Sequence, residues 1–158
     1  MSCEKTAMWT VDALHGEASY LDSNVLIYGF EGPRDTVRSG VGAILRDIHL
    51  GRLRGYTSLL TRAEALVYPL RHSQTELANR YRALLSGEGA IVVQIPDQRT
   101  VDRAAELRAA HPVLRLPDAL HLATALQSRC RSFITADKRL TVVSGRIEVL
   151  LLGELDSA

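Results

Sequence analysis

Apolar positions along the 158-residue chain fall into short runs of strand length, separated by stretches in which they recur with helical spacing. Ser19 to Leu21 is such a run and ends at Asp22; Val25, Leu26 and Tyr28 follow in a helical pattern, so a strand is predicted to turn directly into a helix. Pro33 is expected to open the next helix, where Val37, Val41, Ile44, Leu45 and Ile48 form an amphipathic stripe ended by Gly51. Arg54 to Ser58 reads as a second strand. Helices from Leu59 to Leu70 and from Gln74 to Leu85 follow, the second with Leu77, Tyr81, Leu84 and Leu85 on one face. Ile91 to Ile95 is a β-branched third strand, and the helix that starts at Pro96-Asp97 cannot run through Pro112. Pro117 stands where another helix begins and reaches Gln127, with Ser132 to Thr135 and Ile147 to Leu151 as fourth and fifth strands.

Strands separated by helix-sized segments pair in parallel, because parallel neighbours require a crossover. The expected class is therefore α/β, a three-layer α/β/α domain around a central, mostly parallel, five-stranded sheet. Residues 1–18 lack either periodicity, and are expected to form a poorly ordered or loosely docked extension to a domain spanning 19–158.

Composition narrows the class. An apolar content of 46% with 23% charged residues is that of a globular domain, and 158 residues bury a core without staples. No run approaches the length of a bilayer span, and the first 18 residues lack the apolar stretch of a secretory signal, so a cytoplasmic protein is expected. Two cysteines, Cys3 and Cys130, are too few for a disulfide framework and read as reduced thiols. Lys5 and Lys138 are the two lysines among 19 basic residues, so the other 17 are arginines, whose planar fork suits phosphate and carboxylate. The net charge of +1 is compatible with a nucleic-acid partner without demanding one.

In a parallel sheet, ligands bind outside the carboxyl ends of the strands. Four acids map to that edge: Asp22 closing the first strand, Glu64 in the helix after the second, Asp118 at a helix start, and Asp137 just past the fourth strand. Like charges brought together raise one another's pKa, a conflict that a divalent cation removes. Oxygen ligands without Cys or His select hard cations, Mg²⁺ or Mn²⁺, and the chemistry implied is phosphodiester hydrolysis. Each acid also has a local explanation. Asp22 can cap a helix, Asp137 can form an Asx-turn, Thr61 to Glu64 matches a capping box, and Asp118 suits a helix dipole.

The run Tyr20-Leu21-Asp22-Ser23-Asn24-Val25-Leu26 resembles the opening motif of the PIN-domain nucleases. Thr61-Arg62-Ala63-Glu64, Leu116-Pro117-Asp118-Ala119-Leu120-His121 and Phe133-Ile134-Thr135-Ala136-Asp137 follow in the order of that family. Single-domain chains of this size are most similar to VapC-type toxins of toxin–antitoxin pairs. The resemblance implies a PIN-like fold, a metal-dependent ribonuclease with Asp22, Glu64, Asp118 and Asp137 as metal-binding and catalytic acids, and Ser23, Asn24 and Thr135 in support. It also implies an RNA substrate, an antitoxin partner and a homodimer.

His121 lies three residues after Asp118, where a buried, hydrogen-bonded histidine is expected. Lys138 and Arg139 are expected on a solvated turn, with phosphate contact as the other reading; Arg34 and Arg38 carry the same ambiguity. Two alternatives to the ribonuclease stay open. One is a Mg²⁺ phosphohydrolase with Asp22 as nucleophile, against which Asn24 stands where a second Asp is usual. The other is a non-catalytic module that binds RNA or a partner.

Overall fold

The computed structural model describes residues 8–156. Its five strands are β1 (Ala18–Leu21), β2 (Arg54–Ser58), β3 (Val92–Gln94), β4 (Ser132–Thr135) and β5 (Glu148–Leu151). They form one sheet in the order β3-β2-β1-β4-β5, and every pairing is parallel. The helices are α1 (Ser23–Glu31), α2 (Thr36–His49), α3 (Leu59–Arg71), α4 (Thr75–Leu84), α5 (Gln98–Ala110) and α6 (Leu116–Gln127).

Alternation along the two central strands builds two cores. Leu21 and Ile134 point into one with Val25, Val41, Ile44 and Tyr81, while Tyr20 and Phe133 point into the other with Leu107, Ala119 and Leu122. Helices α1 to α4 thus contribute to the first core and α5 and α6 to the second, which gives the three layers expected. Close approach replaces side-chain bulk at Gly29 and Gly55, among others: a Cβ on Gly29 would meet Val41 Cγ1 at 2.6 Å, and one on Gly55 would meet Ile48 Cδ1 at 2.4 Å.

One local expectation changes. The helix assigned to Pro33 starts at Thr36, because the Asp35 side chain accepts a hydrogen bond from Arg38 N at 2.9 Å and caps it. The stretch before β1 reads in sequence as a poorly ordered or loosely docked extension, and within its described part Trp9 and Leu14 are buried against the domain. Trp9 is buried, donates from Nε1 to Leu151 O at 2.8 Å and bridges in parallel to Leu155, so the segment ahead of β1 clasps the segment after β5. Burial of an indole with its N–H satisfied outweighs the missing periodicity. The part of that expectation covering residues 1–7 lies outside the described residues.

The strand order sets the position of any site. The chain leaves β1 toward β2 and β3, then returns to β4 on the other side, so the direction reverses between β1 and β4. Crevices at the carboxyl ends of such a pair are where parallel sheets bind ligands.

Candidate functional site

Asp22 is the residue immediately after β1 and the N-cap of α1, its Oδ1 accepting from Ser23 N at 2.8 Å. The other oxygen, Oδ2, accepts from Thr135 Oγ1 at 2.7 Å and from Asn24 Nδ2 at 3.2 Å. Asn24 also accepts from Ala136 N at 3.0 Å, so its amide ties the loop after β1 to the loop after β4. Only 5% of Asp22 is exposed. Burial pushes its pKa above the ordinary aspartate value, opposed by His121, Thr135 and the Ser23 amide, with Glu64 adding to the rise.

Glu64 reaches the same crevice from α3. Ser23 Oγ donates to its Oε2 at 2.8 Å, and His121 Nε2 lies 2.6 Å from its Oε1. Burial by itself would raise the Glu64 pKa, but the contacts from His121 and Ser23 prevail and hold it below the usual glutamate range. The capping-box reading of Thr61 and Glu64 is overturned: Ser58 caps α3 through Leu60 N, and Thr61 Oγ1 pairs with Thr57 Oγ1 at 2.8 Å. Glu64 therefore has no local backbone role among its hydrogen bonds.

Asp118 and Asp137 make up the outer half of the crevice. Asp137 makes the Asx-turn expected of it, accepting from Arg139 N at 3.0 Å, and Asp118, in the first turn of α6, accepts from Arg115 N at 3.0 Å. Arg139 is in the site rather than on a solvated turn. Its guanidinium pairs with both Asp137 oxygens and lies 3.5 Å from Asp118 Oδ2. This pairing holds the Asp137 carboxyl below its ordinary pKa and raises that of Arg139. Arg38 is settled differently, since its guanidinium donates to the carbonyls of Gly29, Phe30 and Gly32 at the end of α1.

The two halves are joined through Thr135, whose hydroxyl donates to Asp22 and accepts from Asp137 N at 3.1 Å. A continuous hydrogen-bonded chain thus runs from Glu64 through Ser23, Asp22, Thr135 and Asp137 to Arg139 and Asp118. Of the seven residues singled out in the sequence, all lie on that chain or brace it. The acids are linked along the carboxyl ends of β1 and β4 by this network without forming a closed cage. Among the described residues, the one group of three whose ligand atoms lie within 4.8 Å of one another is Asp12, His15 and Asp47. That group lies just ahead of β1 and beside the end of α2, and its Asp47 already has a cationic partner in Arg52, whose Nη1 contacts Oδ1 at 3.1 Å.

His121 and Arg139 are the participants that sequence reasoning left unassigned. Spacing offered one signal, since His121 shares a helical face with Asp118 three positions earlier. A hard-oxygen donor set with a buried, proton-seeking Asp22 fits a divalent cation such as Mg²⁺ or Mn²⁺. No helix among the described residues is long and apolar enough to cross a membrane.

The PIN domain family model matches residues 19–146. No curated protein matches the chain in sequence. Among solved structures, the chain is similar to a toxin–antitoxin complex from Klebsiella pneumoniae, at 27% identity over 85% of this chain and 97% of that one, with a TM-score of 0.64. The fold is shared with FitAcB from Neisseria gonorrhoeae, at 19% identity, 87% and 99% coverage and a TM-score of 0.65. It is shared too with VapBC2 from Rickettsia felis bound to a promoter DNA fragment, at 12% identity, 85% and 98% coverage and a TM-score of 0.64. With the crevice at the β1/β4 switch point and its acids in place, the match over residues 19–146 leads to one assignment: the chain belongs to the PIN domain family.

Proposed function

We propose that the chain is a Mg²⁺- or Mn²⁺-dependent endoribonuclease of the VapC type, the toxin of a toxin–antitoxin pair that acts in the cytoplasm. The observation that carries this reading is Asp22, a carboxylate 5% exposed at the topological switch point, with Glu64, Asp118 and Asp137 along the same crevice. Membership of a nuclease family and the likeness to toxin–antitoxin complexes support it.

Asp22, Glu64, Asp118 and Asp137 would hold the ion. The chemistry a divalent cation supplies in such a site is activation of water and stabilisation of the departing oxygen of a phosphodiester. The chain's own residues set the geometry. Thr135 and Asn24 fix the Asp22 carboxylate from one side, Ser23 steadies Glu64, and Arg139 offers a fork that pairs with carboxylate or phosphate alike. An antitoxin partner completes the reading by likeness to the toxin–antitoxin complex, and a homodimer is carried over from the sequence resemblance alone.

Incubation with defined RNAs in Mg²⁺ or Mn²⁺, with and without EDTA, tests it. The expected result is metal-dependent cleavage that EDTA abolishes, and that both Asp22→Asn and Asp137→Asn lose while remaining folded. A thermal shift with Mn²⁺ but no cleavage of any RNA would favour a non-catalytic binding module instead.

A further inference from the structure

We propose that His121 is a positioning residue for Glu64, with Tyr20 setting the imidazole from behind. This rests on the metal-dependent reading of the same crevice. His121 is 2% exposed, and both of its ring nitrogens are engaged: Nδ1 lies 2.7 Å from the Tyr20 hydroxyl and Nε2 lies 2.6 Å from Glu64 Oε1. The three residues come from α6, β1 and α3, so the contact ties three elements together at the crevice wall.

Tyr20 is the fixed end of the relay. Its ring stacks on Phe133 with centroids 5.1 Å apart and planes 8° apart, and meets the His121 ring edge-on at 5.8 Å. Nε2 faces a carboxylate oxygen, which can only accept, and in the neutral ring that leaves Nδ1 as the acceptor for the Tyr20 hydroxyl. A proton on Nε2 then completes a directed chain, Tyr20 O–H to Nδ1 and Nε2–H to Glu64. Asp22 Oδ1 is 3.9 Å from Nε2, beyond hydrogen-bond range, which commits that donor to Glu64. With Ser23 on its other oxygen, Glu64 has its plane set from two sides and its remaining lone pairs free for the crevice. Partners of this kind orient ligating carboxylates, and losing one typically weakens metal affinity by about 10- to 100-fold.

A buried histidine that serves packing alone would tolerate Gln and Asn alike, whereas a positioning role would not. The side-chain amide of Gln reaches the place of Nε2, and that of Asn the place of Nδ1. Mn²⁺ affinity of the full chain, read from the electron paramagnetic resonance of free Mn²⁺, is measured for wild type, His121→Gln, His121→Asn and Tyr20→Phe, with a thermal melt of each. The expected result is a loss of about 10- to 100-fold for His121→Asn, with His121→Gln restored to nearly wild-type affinity. Tyr20→Phe, which keeps the ring and removes the hydroxyl, is expected to weaken binding several-fold. Equal affinity in the Gln and Asn variants would overturn the inference. Should neither histidine variant fold, wild-type affinity in Tyr20→Phe would overturn it equally. Wild-type protein that binds Mn²⁺ while the two variants match each other refutes only the role of His121; wild-type protein that binds none refutes the metal reading beneath it as well.

Discussion

The two halves of the crevice hold their carboxylates by different physics. On the inner side, Asp22 and Glu64 are surrounded by hydroxyls, amides and one imidazole; Asp22 is all but sealed from solvent, while the Glu64 side chain is 33% exposed. On the outer side, Asp118 and Asp137 are 18% and 23% exposed at the side chain and share the guanidinium of Arg139. Hydroxyls and amides orient a carboxylate without cancelling its charge, so Asp22 retains a demand for positive charge. A guanidinium both orients and neutralises, so the outer half is balanced by a group of the chain itself. The pKa directions follow the partners rather than the halves: Asp22, sealed by burial, is raised, whereas Glu64 beside His121 and Asp137 beside Arg139 are both lowered.

Asp22→Asn breaks the comparison at its strongest point and is expected to have the largest effect. Cleavage of RNA should fall below detection while the melting temperature at pH 8 stays at or above that of wild type. The sign follows from linkage. The folded-state pKa of Asp22 lies above its unfolded value, so its ionisation disfavours the folded form once pH exceeds that value, and a neutral amide removes the cost. A marked drop in melting temperature with cleavage intact would mean that Asp22 is only a helix cap.

Arg139→Gln probes the outer half. If the guanidinium competes with a cation for Asp118 and Asp137, its removal should tighten Mn²⁺ binding several-fold in a direct titration. Unchanged or weaker binding would show that the two acids do not share a cation with the inner pair.

The smallest effect is expected in stability at the outer pair. Asp137→Asn should change the unfolding free energy by about 1 kcal/mol or less, because a partly exposed ion pair is worth little. Its contribution is present above the ordinary aspartate pKa and is lost as pH falls through the lowered folded-state value, since Arg139 favours the ionised carboxyl. Urea melts of wild type and Asp137→Asn should therefore converge as the pH is lowered through that range, and should converge also in about 1 M salt, where the Debye length is about 3 Å.

The inner half was more legible in the sequence than the outer. Asp22, Ser23 and Asn24 are consecutive at a strand-to-helix turn, and the run Phe133 to Asp137 repeats that situation, so local rules place these groups. Thr135 and Asn24 were expected in support and do brace Asp22. The capping box at Thr61 misled because α3 starts two residues earlier, directly from β2, and hydrogen bonding to Thr57 takes up the Thr61 hydroxyl. Arg139 looked solvated because a turn residue two positions after an acid carries no signal of a third partner, Asp118, from another helix.

Periodicity, turn residues and β-branched runs determined the five strands and six α-helices of the described residues and the edge on which the acids fall, since these depend on neighbours within a few positions. The reversal of strand order between β1 and β4, the docking of Trp9 against Leu151 and Leu155, and the Tyr20–His121–Glu64 contact were decided by tertiary structure. Each of these joins groups far apart in the chain, and their meeting depends on how whole elements pack rather than on any spacing that one segment can display.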